Sequence, residues 1–375
     1  MKKFLLSTLL GCSGLFAAET ESTSNQEQTQ VYVGSRSKGI YSTWLNTNTG
    51  SLSQPELMIK ANGADFITIH PNHKFLYSCA KSEQKAGAVA GYSISTDGSL
   101  TEIGKQEIQG KSLCHISLDK NSRILMGANY GDGSIVSLPI NTDGSIAKLA
   151  SIHKHEGSST HPRRQTKPHA HSIYRGPSNK YAYAPDLGID KVMIYTIDHE
   201  TAKLTPKGFA KTPAGAGPRH MKFSKDGKQA YVLNELTVDI SVFNLNAETG
   251  NLTITETVST LEAGIDKSGI TCSEIRVSKD GQFVYCANRD VAGKSRDSLS
   301  VFSVNDGKIK LIQNIGAAVH IPRNINIDPS GNWLLVAGQK SNNISVFKID
   351  NSTGKLSATT HTTDLPAAMC IEFRR

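Results

Sequence analysis

Arginine, histidine and glutamate stand in this sequence where short apolar runs begin and end. The stretch GAGPRHMKFSKDGKQAYVLNE, at 215–235, carries Arg219 and His220 near its start and Asn234 and Glu235 at its close. Between them an alternating segment (Met221, Phe223) meets a turn at Lys225-Asp226-Gly227 and returns through Ala230 to Leu233. Period two and turn chemistry predict a β-hairpin. Its antiparallel strands bring Arg219 and Glu235 to one end, although sixteen positions separate them. Arginine cannot serve as a base near neutral pH, but its planar fork grips phosphate or carboxylate oxygens. It also stabilises an oxyanion developing on an attacked carbonyl, worth about 3 to 4 kcal/mol per donor. A histidine or carboxylate beside it can activate water, typically worth about 100- to 10,000-fold. Such a set suits water attack on an activated ester of an anionic substrate, with no covalent intermediate. The sequence has no GxSxG elbow, which argues against a serine nucleophile.

The element that positions these residues is written repeatedly. SEIRVSKDGQFVYCANR (273–289), RNINIDPSGNWLLVAGQ (323–339), HSIYRGPSNKYAYAPDL (171–187), CHISLDKNSRILMGANY (114–130) and DFITIHPNHKFLYSCAK (65–81) follow the same pattern. Each leads into another apolar strand and a second turn, as in VDISVFNLNAETGNL and NISVFKIDNSTGKL. The second-strand positions Tyr32, Tyr77, Met126, Tyr183, Tyr231, Tyr285 and Leu335 lie 45 to 57 residues apart, the extremes being Tyr32 to Tyr77 and Met126 to Tyr183. Four strands at that period read as a propeller blade. The first unit lacks its first strand, which the C-terminal MCIEFR supplies. The expected fold is therefore all-β: a seven-bladed β-propeller over 31–375, closed by pairing of the N- and C-terminal strands in one blade.

In a propeller the first strand of each blade lines the central channel, so its start rings one mouth. Twelve positions before each second-strand marker stand Asp65, Cys114, His171, Arg219, Ser273, Arg323 and, through the closing strand, Met369. Four positions after stand Arg36, Lys81, Tyr130, Leu187, Glu235, Arg289 and Gln339. His220, Glu274 and Asn234 come next in line. These positions change chemistry from blade to blade while turn and core positions stay monotonous, as expected of a binding site on a repeated scaffold. The structural counterpart is a ring of inter-blade salt bridges that only locks the channel. His220 and Glu274 fit substrate contact and support of neighbouring groups equally well, and solvation alone would also explain Lys81 and Arg36.

Outside the repeat, residues 1–18 (MKKFLLSTLLGCSGLFAA) combine two lysines with an apolar run too short to span a bilayer, the pattern of an export signal. LLGC is similar to a lipoprotein cleavage box ending before Cys12, and cleavage near Ala17 or Ala18 is the alternative. Residues 19–30 read as a polar tether. The chain is thus expected to be exported, either periplasmic or lipid-anchored at the cell envelope through Cys12, with a cytoplasmic location as the alternative. Five further cysteines without CxxC spacing argue against a disulfide framework or structural zinc. A formal charge of +8 without Lys/Arg runs points away from nucleic acid and toward a small anionic molecule. The histidine-rich segment 153–171 lacks a firm metal-ligand spacing and reads as a long loop over the rim, with Arg163, Arg164 and Gln165 offering polar contacts. A closed ring needs no partner for stability, so a monomer is expected.

Motifs within this frame carry a resemblance. PHAHS (168–172), GAGPRHM (215–221), the NE pair (234–235), YCANRD (285–290), PRNINID (322–328) and AGQKSNNISVF (337–347) resemble the bacterial seven-bladed 6-phosphogluconolactonases, over essentially the whole chain after the tether. The same family includes fungal 3-carboxy-cis,cis-muconate lactonizing enzymes. The resemblance implies opening of a sugar lactone to its aldonic acid, no metal and no organic cofactor. It implies catalytic roles for the PHAHS histidine, Arg219, Glu235 and Arg289. The repeat register independently prefers His171 to His169 and selects the other three. Arg323, His220, His169, Glu274, Asn234, Gln339 and Lys81 are the expected substrate contacts. The alternatives are a muconate-cycloisomerase-type lactonizing enzyme and a non-catalytic exported binding propeller. The family's sugar-phosphate enzyme works in the cytoplasm, so an export signal puts a phosphorylated substrate in question.

Overall fold

In this computed structural model, Met1 and residues 27–82 and 86–374 are described. The expected export signal, Cys12 and most of the tether lie outside these residues. The strand Gln28–Ser35 begins inside the segment assigned to the tether, so the propeller starts three residues earlier than expected. Seven four-stranded antiparallel sheets make up the described chain, each a blade. The C-terminal strand Ala368–Arg374 pairs with Gln28–Ser35 and stands innermost in that blade, closing the ring as the repeat requires. Neighbouring first strands pack against one another around the axis.

The core lies between blades. Tyr231, Leu233 and Val242 of one sheet pack against Ile275, Val284 and Phe302 of the next, all buried. Full burial of side chains this size contributes about 1.5 to 3 kcal/mol each. The second-strand tyrosines add a directional lock. Tyr32, Tyr77, Tyr183 and Tyr285 donate their hydroxyls to the carbonyls of Gly98, Gly144, Gly250 and Gly354, at 2.6, 3.0, 2.9 and 3.0 Å. Each of these glycines belongs to a turn of the following blade, so every bond crosses a blade boundary. Where Leu335 replaces the tyrosine, Trp333 Nε1 takes over and donates to Thr47 O at 2.8 Å.

One blade departs from the pattern. Its first strand, expected from His171, is reduced to Tyr174–Arg175, with one isolated bridge from Ala170 to Asp186. Pro168 has no amide to give, and the His169 amide donates to the Asp186 carboxylate rather than to a carbonyl. Two backbone bonds, His171 N to Pro185 O and Leu187 N to His169 O, both at 3.0 Å, hold the pairing on either side of that bridge, and the long segment before it carries Arg164 to Glu235.

Candidate active site

The rim residues are β-bulges. Pro218 pairs with Asn234 and His220 with Leu233, leaving Arg219 unpaired between them. Cys114 stands alone in the same way between Leu113 and His115, and Arg323 between Pro322 and Asn324. Register also shifts around Ser273 and Glu274, and around Met369. An extra residue bends the strand and re-aims its side chain, so Arg219 with His220, and Arg323 with Asn324, face the same small chamber on the axis.

Above that chamber opens a cup of about 880 Å³. Arg36, Lys81, Arg164, Arg289, Arg323, His171, Tyr130, Cys114, Asp65 and Glu235 contribute to its wall. Five fixed cations face two carboxylates, so the cup is positively biased. A second groove, of about 730 Å³, runs between the turns at Asp226 and Asp280, at the other end of the hairpins and away from these groups.

Glu235 is the hub of the cup. Arg164 donates to its Oε1 at 2.6 Å, Arg219 Nε to its Oε2 at 3.0 Å, and Arg289 Nη2 lies 3.2 Å from the same Oε2. Burial alone would raise this carboxyl, but Arg289, Arg219 and Arg164 outweigh it and hold it well below the usual carboxylate range. His171 Nε2 lies 4.0 Å from Glu235 Oε2, and its Nδ1 is 3.9 Å from Cys114 Sγ. Burial first, then Arg219, His220 and Arg323, push this imidazole well below its ordinary value, so it stands neutral.

The arginines divide by what they hold. Arg219 is 1% exposed and lies beneath the floor of the cup, committed to Glu235 and the Ser273 carbonyl. Arg289 donates to Cys272 O at 2.8 Å and leaves its buried Nε without a partner. Across the hairpin from it, the buried Thr271 hydroxyl, also unpartnered, faces the cup. Arg323 makes no ion pair or hydrogen bond among the described residues. Burial, with Arg219 and Arg289 nearby, makes its charged state costly.

Several expected contacts lie elsewhere. Asn234 is fully buried and donates to Asp239 and Ser241, bracing its own blade rather than facing the cup. Its amide pairs across the hairpin neck, which turns it outward while Glu235 turns inward. Glu274 is sealed deep in the channel, with Arg276 Nη1 at 2.6 Å, His220 Nδ1 at 3.1 Å and Asn324 Nδ2 at 2.7 Å. Burial raises its carboxyl, but Arg276, His220 and Lys222 outweigh this and hold it well below the usual range. Burial takes His220 down to about 3, and its Nε2 has no hydrogen-bond partner. Both belong to a charged cluster below the cup, His220 lining the small chamber and neither lining the cup itself. His169 stacks on Tyr130 with centroids 4.4 Å apart and bonds the Tyr130 carbonyl, so it backs the wall without lining it. Gln339 is tied by its amide to Ile321 O and does not line the cup. Lys81 does, and is exposed.

Sequence periodicity could not find the brace of the loop over the rim. His155 Nδ1 meets Asp186 Oδ2 at 2.6 Å and its Nε2 meets Tyr195 OH at 2.7 Å, all three buried. These partners lie 31 and 40 positions away, without any repeated spacing to announce them. The other histidines of this segment have separate partners: His153 bonds Leu204 O, and His161 caps Arg163 and Arg164 amides.

Comparison with known proteins places this geometry in a lineage. The profile of the family described as "Lactonase, 7-bladed beta-propeller" matches residues 30–373. The chain belongs to this family. Its curated relatives include the 6-phosphogluconolactonase of Bacillus subtilis, 34% identical over 346 residues that cover 92% of this chain and 96% of the relative. The 6-phosphogluconolactonase of Formosa agariphila is 34% identical over 85% of this chain and 90% of its own. Among solved structures, a periplasmic gluconolactonase of Pseudomonas aeruginosa superposes with a TM-score of 0.86 at 28% identity, covering 93% of this chain and 99% of that one. A putative 6-phosphogluconolactonase of Bacteroides fragilis gives 0.84 at 27% identity, with 94% and 99% covered. The family resemblance read from the motifs and the seven-bladed architecture both hold.

Proposed function

We propose that this propeller lactonase opens a sugar lactone to the aldonic acid in the cup above Glu235. The observation that carries the reading is the contrast between two kinds of arginine. Arg164, Arg219 and Arg289 are engaged with Glu235, whereas Arg323 faces the cup with no protein partner beside a neutral His171. Both oxygens of Glu235 are occupied by guanidiniums, so it serves to fix them, whereas the neutral His171 faces the cup with Nε2 4.0 Å from Glu235 Oε2. His171 is the group that accepts the proton of the attacking water.

Water attacks the lactone carbonyl carbon as its proton passes to the imidazole, and the carbonyl oxygen becomes an oxyanion held by Arg323 and Arg289. Collapse breaks the bond to the ring oxygen, which takes the proton back from His171 as it leaves. The products are a free hydroxyl and a carboxylic acid, which releases its remaining proton to solvent and leaves as the carboxylate. A histidine with a depressed pKa returns the proton readily, which suits that second transfer. Five cations around the mouth draw in an anionic lactone, and the Arg36–Asp65 pair at 2.6 Å shapes the opposite wall.

The export-type N-terminus supports a periplasmic or envelope-anchored enzyme, and the related gluconolactonase of P. aeruginosa is periplasmic. Closure of the ring, which needs no partner, supports a monomer. The test is a panel of glucono-1,5-lactone, its 6-phosphate and a 3-carboxymuconolactone with purified protein. Acceleration of sugar-lactone opening over buffer is expected. Sugar lactones that decay only at the uncatalysed rate would refute the reading.

A further inference from the structure

The turn that follows the strand Tyr181–Asp186 ends on Asp190, which is 5% exposed and has a φ of 52°. Its carboxylate accepts four hydrogen bonds from two distant segments. Oδ1 takes Gln165 Nε2 at 2.7 Å and the Gly217 amide at 2.7 Å. Oδ2 takes Ser159 Oγ at 2.5 Å and the Gly215 amide at 2.7 Å. Ser159 and Gln165 belong to the loop over the rim, and Gly215 and Gly217 to the turn that launches the strand Pro218–Phe223.

The residues beside those four are the ones that matter in the cup. Arg164 precedes Gln165 and grips Glu235 Oε1. Arg219 follows Gly217 by two and grips Oε2. The Gly217 carbonyl in turn receives the Glu235 amide at 2.8 Å. Gly217 has a φ of 65°, and a Cβ there would come within 2.6 Å of Leu236, so this turn needs glycine and leaves its amides free to point at one carboxylate. Gln165 is fully buried and spends its side chain on Asp190, Leu187 O and the His161 amide.

We propose that Asp190 is a positioning residue for the lactonase reaction: one buried carboxylate outside the cup sets the distance between Arg164 and Arg219, and so the geometry of Glu235 and the cations around it. The inference rests on the reading of the cup as the reaction site, but its physical claim about the loop stands apart from turnover. Asp186 holds the two ends of the loop, through His155 and the His169 amide. Among the described residues, Asp190 is the side chain that bonds directly to both the middle of the loop and the turn before the Arg219 strand.

The experiment compares Asp190→Ala, Asp190→Asn, Arg164→Ala and the double variant Asp190→Ala/Arg164→Ala in the full chain, by lactone kinetics and by limited trypsin digestion. Misplacing a site by about 1 Å costs roughly 100-fold in rate. Asp190→Ala is therefore expected to lose about 100-fold in kcat/KM and to be cut faster at Arg163, which is exposed, or Arg164. Asp190→Asn, which keeps one acceptor oxygen, is expected between it and the wild type. The double variant is expected to lose less than the product of the two single losses, because the first change has already released Arg164. Wild-type kinetics and cleavage rates for Asp190→Ala, or strictly multiplicative losses, would overturn the proposal. If Asp190→Ala does not fold, Asp190→Asn decides by the same readings. If the wild type turns over no lactone, the proposed function falls, and unchanged cleavage at the loop would overturn the role of Asp190 as well.

Discussion

Arg219 Nε donates to Glu235 Oε2 at 3.0 Å, with both side chains nearly closed to solvent. Sixteen positions apart, they meet because a hairpin folds its ends together and a bulge turns Arg219 inward. The pair does not neutralise the site, because Arg164 and Arg289 share the same carboxylate. Three guanidiniums are thus bound to one anion, while Arg323 lines the cup without a protein partner among the described residues.

Glu235→Gln therefore uncovers three clustered cations. Removing one partner of a buried ion pair costs about 3 to 5 kcal/mol. Urea denaturation is expected to show a loss of that order, with activity lost at the same time. Arg164→Ala, whose side chain is 36% exposed, is expected to cost far less stability. Equal stability of Glu235→Gln and wild type would mean that the hub is not the organising charge.

The pH profile follows from His171. Its folded pKa lies well below the ordinary value of about 6.5. With His171 as the proposed base, its neutral form persists as pH falls through 6.5, and activity is expected to decline only at lower pH, as the imidazole takes a proton. The acid limb of kcat/KM, measured in constant-ionic-strength buffers, is expected well below 6.5. A midpoint at 6.5 or above would remove His171 as the base.

Stability shows the same histidines differently. His115, His171 and His220 are all buried and neutral in the fold, each shifted down chiefly by burial. An unfolded chain protonates them below about 6.5, so it binds more protons than the native state there. Their contribution is complete above that pH and is lost as pH falls, at up to about 1.4 kcal/mol per pH unit for each histidine. Glu274, held ionised in the fold, adds a further loss below about 4.5. Unfolding midpoints that stay level from pH 7.5 to 5.5 would contradict these assignments.

Much of this was legible before any coordinates. The monotonous parts of the repeat, such as Asp226-Gly227 and the tyrosines at Tyr32 and Tyr183, repeat because every blade solves the same packing problem. The varied rim positions converge because first strands line one axis. Two things escaped. First-strand bulges at Arg219, at Ser273 and Glu274, and at Arg323 set how deep these side chains and their neighbours His220 and Asn324 sit, yet they leave no mark on hydrophobic period. The loop brace of His155, Asp186 and Asp190 consists of long-range hydrogen bonds between unlike residues, for which no spacing rule exists. Arg164 was legible only as one polar residue in a histidine-rich loop.

The blade lock is testable by itself. Tyr183→Phe removes the hydroxyl that reaches Gly250 O across the blade boundary. A net loss of about 1 kcal/mol is expected, somewhat more if the carbonyl is left dry. Urea midpoints of the wild type and this variant give the value directly. No change would show that packing of the ring alone suffices at this boundary.

The most direct measurement is acid release from glucono-1,5-lactone by wild type and Arg323→Ala side by side, with folding checked by circular dichroism. The account predicts opening faster than buffer for the wild type and a loss of about 100- to 1000-fold for the folded variant, the effect of removing one oxyanion donor. A folded Arg323→Ala enzyme that turns over at the wild-type rate would contradict it.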